Sequence, residues 1–366
     1  MGKGKKEELN QILVGHLNTI HDTLQLLDQS PSSSLEKVSW KDVIQMGEQV
    51  SKQATIVGML WNGEAPDARA LKENMTTYFN LLQGFLLLSH GSMVGAGPTL
   101  SSSVLASAKQ VVDCSFKLMH GSVSLYEGTY VDNRKPSMPQ LAGAVWEACS
   151  ALKKAPATNI TAIGRAITQV AVSVKDVLRE MKELKPASLQ HTDAACESSS
   201  AEAERVPFDE DNSSDSDFLD VSLSPEEMEV AKLAINIVSE TLIVIKELIR
   251  TITGLVKLEN RDENSKFVDS LEKLLKLCRG IEVQMEELGA SLYPPQEVTG
   301  MKETLEKVAS HVNEIQEEVE SFKSPSEAFV QACNSLRSSL KQMESGLGCF
   351  DAADLAVKMQ NVDVRN

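Results

Sequence analysis

The residues of this chain that could carry out chemistry are concentrated in one acidic stretch, FDEDNSSDSDFLD at positions 208–220. Counted from Asp209, every second position as far as Asp217 holds an oxygen-bearing side chain, as in the calcium loop of an EF-hand. The sixth position, however, is Ser214, where that loop needs glycine for its turn, and the twelfth is Asp220 instead of a bidentate glutamate. The stretch therefore does not predict a calcium site.

Phosphorylation suits the same stretch better. Ser214 is followed directly by Asp215 and three residues later by Asp217, which is the acidic surround that acidophilic kinases recognise. Ser224 and Ser324 each precede a proline, as proline-directed kinases require, but serine followed by proline is also an ordinary helix start. The sequence predicts a candidate phosphosite at Ser214 and favours a capping role for Ser224 and Ser324.

No arrangement typical of catalysis or of a cofactor site occurs in the sequence. The six histidines form neither H-x-x-x-H nor E-x-x-H, the spacings that would converge metal ligands on a helix. Walker, dinucleotide-binding and Gly-x-Ser-x-Gly patterns are also missing. His120 could accept a phosphoryl group, but Lys117 is its one cationic neighbour, which favours a surface or partly buried role. We expect no enzymatic activity, no cofactor and no metal.

Composition narrows the class of partner. The net charge of −16 disfavours binding to nucleic-acid backbones and to acidic membranes, since both require clustered Lys and Arg. The 4% aromatic content is low for a sugar or nucleic-acid binder and suits helical packing. The six cysteines lie far apart without a C-x-x-C pair, which is typical of a reducing compartment.

The elements that must position any site are helices. Apolar residues recur three and four apart through most of the chain, and two-residue alternation is rare. The predicted ranges are about 9–27, 40–61, 67–90, 104–125, 138–154, 159–184, 225–258, 264–290, 297–323 and 326–344. The glycine-rich GSMVGAGP at 91–98 has no strand before it and no lysine after it, so it is predicted to connect two helices.

A change in composition divides the chain. Between residues 186 and 223 the helical periodicity disappears, and ten Asp and Glu stand against one Arg. Such a segment cannot bury enough apolar surface to order itself, which predicts a disordered linker. The sequence Ser224-Pro225-Glu226-Glu227 then reads as a capping box, and a similar device recurs at 324–327. The predicted domains are an N-terminal bundle at 1–185, the acidic linker at 186–223, a C-terminal bundle at 224–345 and a tail at 346–366.

One predicted helix carries a heptad pattern. Two rows of apolar residues lie seven apart and make a seam like that of a leucine zipper. The rows are Phe267, Leu274, Ile281 and Leu288, and Leu271, Cys278, Met285 and Leu292. The seam is either a helix-binding surface or a face packed within its own bundle, and its short length favours packing. No basic region precedes it, so direct reading of a DNA groove is not expected.

Two short motifs resemble a known family. These are LGASLYPPQE, with Tyr293, Pro294 and Pro295, and VWEAC, with Trp146, in two helical halves separated by an acidic segment. Together they resemble the cyclin-D-binding protein family, also called Grap-and-cyclin-D-interacting, GCIP or Maid-like proteins, over roughly residues 40–345. The resemblance implies two helical bundles with up-down packing similar to that of vinculin and talin.

The resemblance also implies a function. Family members are non-enzymatic regulators that bind D-type cyclins, restrain cell-cycle entry and have been described as helix-loop-helix proteins without a basic region. We therefore expect a protein-binding adaptor in the cytoplasm and nucleus, with D-type cyclins and helix-loop-helix transcription regulators as partners and no nucleic acid or membrane. The alternative is a cytoskeletal or scaffold-type bundle whose helices open to expose the apolar seam.

Overall fold

The computed structural model describes residues 2–29, 31–32, 34–61, 67–127, 136–186, 222–255, 265–322 and 325–363. Within these ranges the chain forms ten α-helices. They are α1 (Gly2–Leu26), α2 (Trp40–Met59), α3 (Ala68–Ser92), α4 (Pro98–Glu127), α5 (Met138–Ala151), α6 (Asn159–Lys182), α7 (Pro225–Leu255), α8 (Ser265–Ala290), α9 (Val298–Phe322) and α10 (Glu327–Asp363). The predicted all-α class is confirmed.

Two short elements complete the description. A 3₁₀ turn at Leu152–Lys154 follows α5, and two-residue strands β1 (Lys185–Pro186) and β2 (Ser222–Leu223) pair in parallel. Nearly all of the predicted linker lies between these strands, at 187–221, outside the described residues. Its disorder, the predicted domain boundaries and the vinculin-like packing stay predictions.

The helix starts follow from capping chemistry. At α7, the backbone N–H of Glu227 donates to Ser224 Oγ (3.1 Å), and the Ser224 N–H donates to Glu227 Oε2 (2.8 Å). The predicted capping box is therefore present. Helix α10 begins at Glu327, one residue after its predicted start at 326. The capping residue is Ser326, whose Oγ accepts the N–H of Phe329 (3.2 Å), two residues after the predicted cap at Ser324. Helix α10 also continues to Asp363, well past the predicted end at about 344.

The chain divides into two compact units, residues 1–168 with 249–276 and residues 169–248 with 277–366. In the first unit, α2 packs against α3 and α5, α3 packs against α1 and α4, and α4 packs against α5. The buried aromatic core holds Tyr78, Phe79 and Phe85. The Tyr78 hydroxyl donates to Ser115 Oγ (2.8 Å), so its one polar atom is satisfied within the core.

Side chains from distant parts of the sequence hold the turn between α3 and α4. Gly95 adopts a positive φ of 72°, and its carbonyl accepts a hydrogen bond from Asn159 Nδ2 (2.9 Å). Asn159 Oδ1 accepts the N–H of Gly97 (2.7 Å). Glu272 of α8 then accepts the backbone N–H of Thr99 (2.8 Å) and the Thr99 hydroxyl (2.7 Å). A carboxylate from α8 thus caps the N-terminus of α4.

In the second unit, polar contacts join neighbouring helices. Asn236 Nδ2 of α7 donates to Ser339 Oγ of α10 (2.8 Å). Arg337 of α10 donates to Asn313 Oδ1 (3.0 Å) and Gln316 Oε1 (2.7 Å) of α9. The apolar core between them includes Phe329, which is fully buried.

Gly47 on α2 provides a test of the packing in the first unit. A Cβ at this position would lie 2.5 Å from Leu152 Cδ1, and Leu152 is itself buried. We expect Gly47→Ala to lower the free energy of unfolding by about 1–3 kcal/mol through overpacking. The same change at Gly143 of α5, where a Cβ meets nothing within 4 Å, should raise it by up to about 1 kcal/mol. Urea unfolding of the two variants measures both effects. A change of the same sign in both free energies of unfolding would contradict this packing of Gly47 against Leu152.

Candidate protein-interaction surfaces

The heptad seam of α8 is buried. Its residues are Phe267 (7% exposed), Leu271, Leu274, Cys278, Ile281, Met285, Leu288 and Leu292 (each 0%). This is the arrangement expected of a face packed within the chain. A role of Phe267, Leu271, Leu274, Ile281 and Leu288 in binding another helix stays a prediction, and it would require this packing to open.

Trp146, by contrast, is exposed on α5 despite its size. Its side chain is 44% exposed, and its Nε1–H donates to Thr55 Oγ1 of α2 (3.0 Å). The Thr55 hydroxyl donates in turn to the Ser51 carbonyl (3.1 Å). The polar atom of the indole is therefore satisfied, while part of the ring stays available for apolar contact. We call the surrounding hollow of about 420 Å³ the Trp146 notch; it is lined by Glu48, Ser51, Trp146, Glu147, Cys149, Ser150 and Lys153.

The charged groups of the Trp146 notch are partly paired. Lys153 Nζ lies 2.9 Å from Glu48 Oε1, and the hydrogen bond and charge of Lys153 hold the pKa of Glu48 below its ordinary value. Burial raises the pKa of Cys149 to about 12, so at neutral pH this thiol is protonated and a poor nucleophile. The notch can thus offer an aromatic face and polar groups to a partner, but not a reactive cysteine.

Tyr293 lies in the second unit, just after α8, and is 47% exposed. Pro294 and Pro295 beside it are also exposed, so the whole YPP motif is at the surface. The hollow next to Tyr293 has a volume of about 210 Å³, and we call it the Tyr293 notch. It is lined by Val177, Glu180, Met181 and Leu184 from the end of α6 and just beyond it, and by Glu286, Gly289, Ala290 and Tyr293 from the end of α8 onward.

Glycine permits the close helix approach beneath the Tyr293 notch. A Cβ at Gly289 would lie 3.1 Å from Val177 Cγ1 and 3.8 Å from Met181 Cγ, so α6 and α8 come together at this residue. Sequence reasoning did not select Glu180, Glu286 or Gly289. The one available signal was the small pair Gly289-Ala290, which Ser291 and Leu292 separate from the YPP motif.

Of the three serines considered as phosphorylation sites, the structure describes Ser224. Ser214 and Ser324 lie outside the described residues, so phosphorylation of Ser214 stays a prediction. Ser224 lies at the start of α7, where its hydroxyl accepts the Glu227 N–H, as a capping residue does. A phosphate on Ser224 would have to replace this hydrogen bond.

Metal-binding and membrane-spanning features are absent from the part of the chain that the structure describes. No cluster of three or more His, Cys, Asp or Glu side chains there has the geometry to hold a metal ion. None of the described helices is both long and apolar enough to cross a bilayer. His120 lies exposed on α4 with Ser124 Oγ 3.4 Å from its Nδ1.

Comparison with protein families gives two matches. The model described as Grap2 and cyclin-D-interacting, N-terminal, matches residues 42–187, and the corresponding C-terminal model matches residues 208–317. No curated protein matches the chain. Trp146 falls in the first match and Tyr293 in the second, and together the two matches extend over well more than half of the sequence. The resemblance drawn from the VWEAC and LYPP motifs is confirmed, and the chain belongs to the Grap2 and cyclin-D-interacting family of interaction adaptors.

Proposed function

We propose that this chain is a non-enzymatic adaptor that binds a D-type cyclin and thereby restrains cell-cycle progression. The observation that carries the proposal is the family match in both halves of the chain, whose description names cyclin D. The cysteine pattern and a cell-cycle role favour the cytoplasm and nucleus as its location.

The Trp146 notch supports this proposal as the contact surface. Exposed tryptophans surrounded by polar groups are frequent hot spots of protein interfaces, because they bury a large apolar area on binding. The indole already donates to Thr55, so binding would leave no unsatisfied indole N–H. The pair of Glu48 and Lys153 would lie at the edge of such a contact and contribute to orientation.

Replacement of Trp146 tests the site. We expect Trp146→Ala to weaken binding of a D-type cyclin by about tenfold or more, the loss typical of a hot-spot tryptophan. Titration calorimetry of the purified full chain against the cyclin measures the change. The matched control is Leu26→Ala, which removes another large apolar side chain of the first unit, 43% exposed at the end of α1, and should leave the affinity unchanged. Helix α1 packs against α3 and α4, whereas the Trp146 notch is built from α2, α5 and the turn after α5.

The cyclin titrations test the proposed function and the proposed contact site separately. If the unmodified chain does not bind any D-type cyclin, the proposed function is wrong. If it binds and Trp146→Ala binds equally well, the function stands and the Trp146 notch is not the contact. Thermal unfolding of each variant checks that the fold is intact.

Binding of helix-loop-helix regulators, or a scaffold role, would use the heptad seam instead. Since these residues are buried, a partner would have to displace the packing around α8 at a cost of several kcal/mol. The Trp146 notch requires no such opening, which is why the proposed cyclin contact is assigned to it.

A further inference from the structure

We infer that the Tyr293 notch is a second docking site, and that it takes a basic peptide segment with an apolar anchor from a partner protein. This inference does not depend on the cyclin contact proposed for the Trp146 notch.

The size and shape of the Tyr293 notch favour a peptide side chain over a small molecule as its ligand. Its floor is apolar and includes Val177 and Met181, and its volume of about 210 Å³ is below the range of roughly 300–1,000 Å³ common for small-molecule pockets. Space for one or two side chains, open to solvent, is typical of a peptide anchor site. Val283, 48% exposed and about two turns before Ala290 on α8, extends the apolar surface along the helix.

The charged residues around this floor favour a positively charged peptide. The charged residues lining the notch are Glu180 on α6 and Glu286 on α8, and the described lining contains no lysine or arginine. Two carboxylates on opposite helices can each accept hydrogen bonds from an arginine. The exposed ring of Tyr293 beside them adds a face on which a guanidinium can stack.

Neighbouring charges outside the lining are mixed. Lys182 and Glu183 lie near the end of α6, Lys185 follows in β1, and Glu287 lies one residue beyond Glu286 on α8. The lysines do not line the notch. The two lining glutamates therefore determine the charge that a bound side chain meets directly.

The acidic segment that adjoins this part of the chain in sequence is not a suitable occupant. This segment, residues 187–221, follows directly after β1 but carries ten Asp and Glu against one Arg. Its charge has the wrong sign for a notch edged by Glu180 and Glu286. A second copy of the chain, with a net charge of −16, is disfavoured for the same reason. Charge complementarity therefore favours a basic segment of another protein.

The test uses the full chain and a short fluorescein-labelled peptide in which two leucines lie between arginine pairs. A matched peptide carries glutamate in place of every arginine. Fluorescence anisotropy should show binding of the arginine peptide, weakening as salt is added, and no binding of the glutamate peptide. Binding of both peptides alike would overturn the inference.

Three variants assign the binding to the notch. We expect the double variant Glu180→Gln with Glu286→Gln to weaken binding about fivefold or more, through the loss of two carboxylate contacts. The matched control, Glu183→Gln with Glu287→Gln, removes the same charge from exposed positions outside the lining and should bind nearly normally. Ala290→Phe, which fills the notch at an exposed position, should weaken binding without altering the net charge.

Two results would contradict the inference. If the two double variants lose affinity equally, the arginine peptide responds to the overall charge of the chain or binds the acidic segment at 187–221, and the Tyr293 notch is not its site. The inference also fails if Ala290→Phe binds like the unmodified chain. A cyclin titration of the same variants shows separately whether the proposed adaptor function is intact.

Discussion

Raising the pH from about 9 to about 10.5 is expected to lower the free energy of unfolding of this protein by several kcal/mol. The cause is a set of buried thiols that resist ionisation in the folded state. Burial raises the pKa of Cys149 and Cys278 to about 12 and that of Cys333 to about 11, from an ordinary value of 9.0.

The sign follows from proton linkage. Above pH 9 an unfolded chain loses these thiol protons, whereas the folded chain keeps them, so the unfolded state binds fewer protons and gains stability as the pH rises. The contribution of each thiol to stability is fully present below pH 9 and is lost as the pH approaches its folded pKa. The slope is about 1.4 kcal/mol per pH unit for each group. Burial also raises the pKa of Tyr78, which adds to the loss above pH 10.

Urea unfolding at several pH values between 8 and 10.5 measures this dependence. Cys278→Ala removes one of these thiols and should reduce the slope above pH 9 by somewhat less than a third, because burial also raises the pKa of Cys114. This reduction is independent of the effect of the substitution on stability at pH 8. The slope is the informative quantity, because loss of the sulfur also leaves a small cavity that lowers stability at every pH. A variant slope equal to that of the unmodified chain would show that Cys278 ionises freely in the folded state.

Glu272→Ala is expected to lower the free energy of unfolding by about 2–3 kcal/mol, more than most surface substitutions. The carboxylate accepts two hydrogen bonds from Thr99, at its backbone N–H and its hydroxyl, in a partly buried position. It also places a negative charge at the N-terminus of the long helix α4, where the helix dipole favours it. Alanine would leave the Thr99 N–H without its acceptor.

Two further variants distinguish the cap from a general effect of charge. Asp269→Ala removes an exposed carboxylate three residues away on α8 and should change stability by less than about 0.5 kcal/mol. Glu272→Gln keeps one oxygen acceptor, so its loss of stability should lie between the losses caused by Asp269→Ala and Glu272→Ala. If Asp269→Ala costs as much as Glu272→Ala, the hydrogen bonds to Thr99 are not the source of the stability.

Much of the fold could be predicted because the signals are local. The apolar period of three to four residues predicted all ten described helices, and the Ser224-Pro225-Glu227 pattern predicted the start of α7. The end of α10 was missed, since the apolar pattern weakens after residue 344 while the backbone stays helical to Asp363. Its start at 326 was predicted to within one residue, but the cap was predicted at Ser324, where the pattern Ser-Pro-x-Glu occurs, and it is Ser326.

The candidate surfaces could be predicted only in part. The motifs identified Trp146 and Tyr293, and the family matches confirm the family to which they point. Periodicity could not show that these side chains are exposed, because apolar residues with helical spacing more often face a core. Nor could it show that the heptad seam of α8 is fully covered, since the same pattern describes a free zipper and a packed face.

The sequence by itself determined the helices, the absence of recognisable catalytic motifs and the family, because each depends on residue types at short spacings. The tertiary structure decided which residues meet across the chain. Glu272 caps Thr99 from 173 positions away, and Asn159 holds the turn at Gly95 and Gly97. The Tyr293 notch likewise depends on the approach of α6 and α8 at Gly289, residues more than a hundred positions apart in the sequence. Tertiary packing brings such distant residues into contact, and a local sequence pattern does not show which residues these will be.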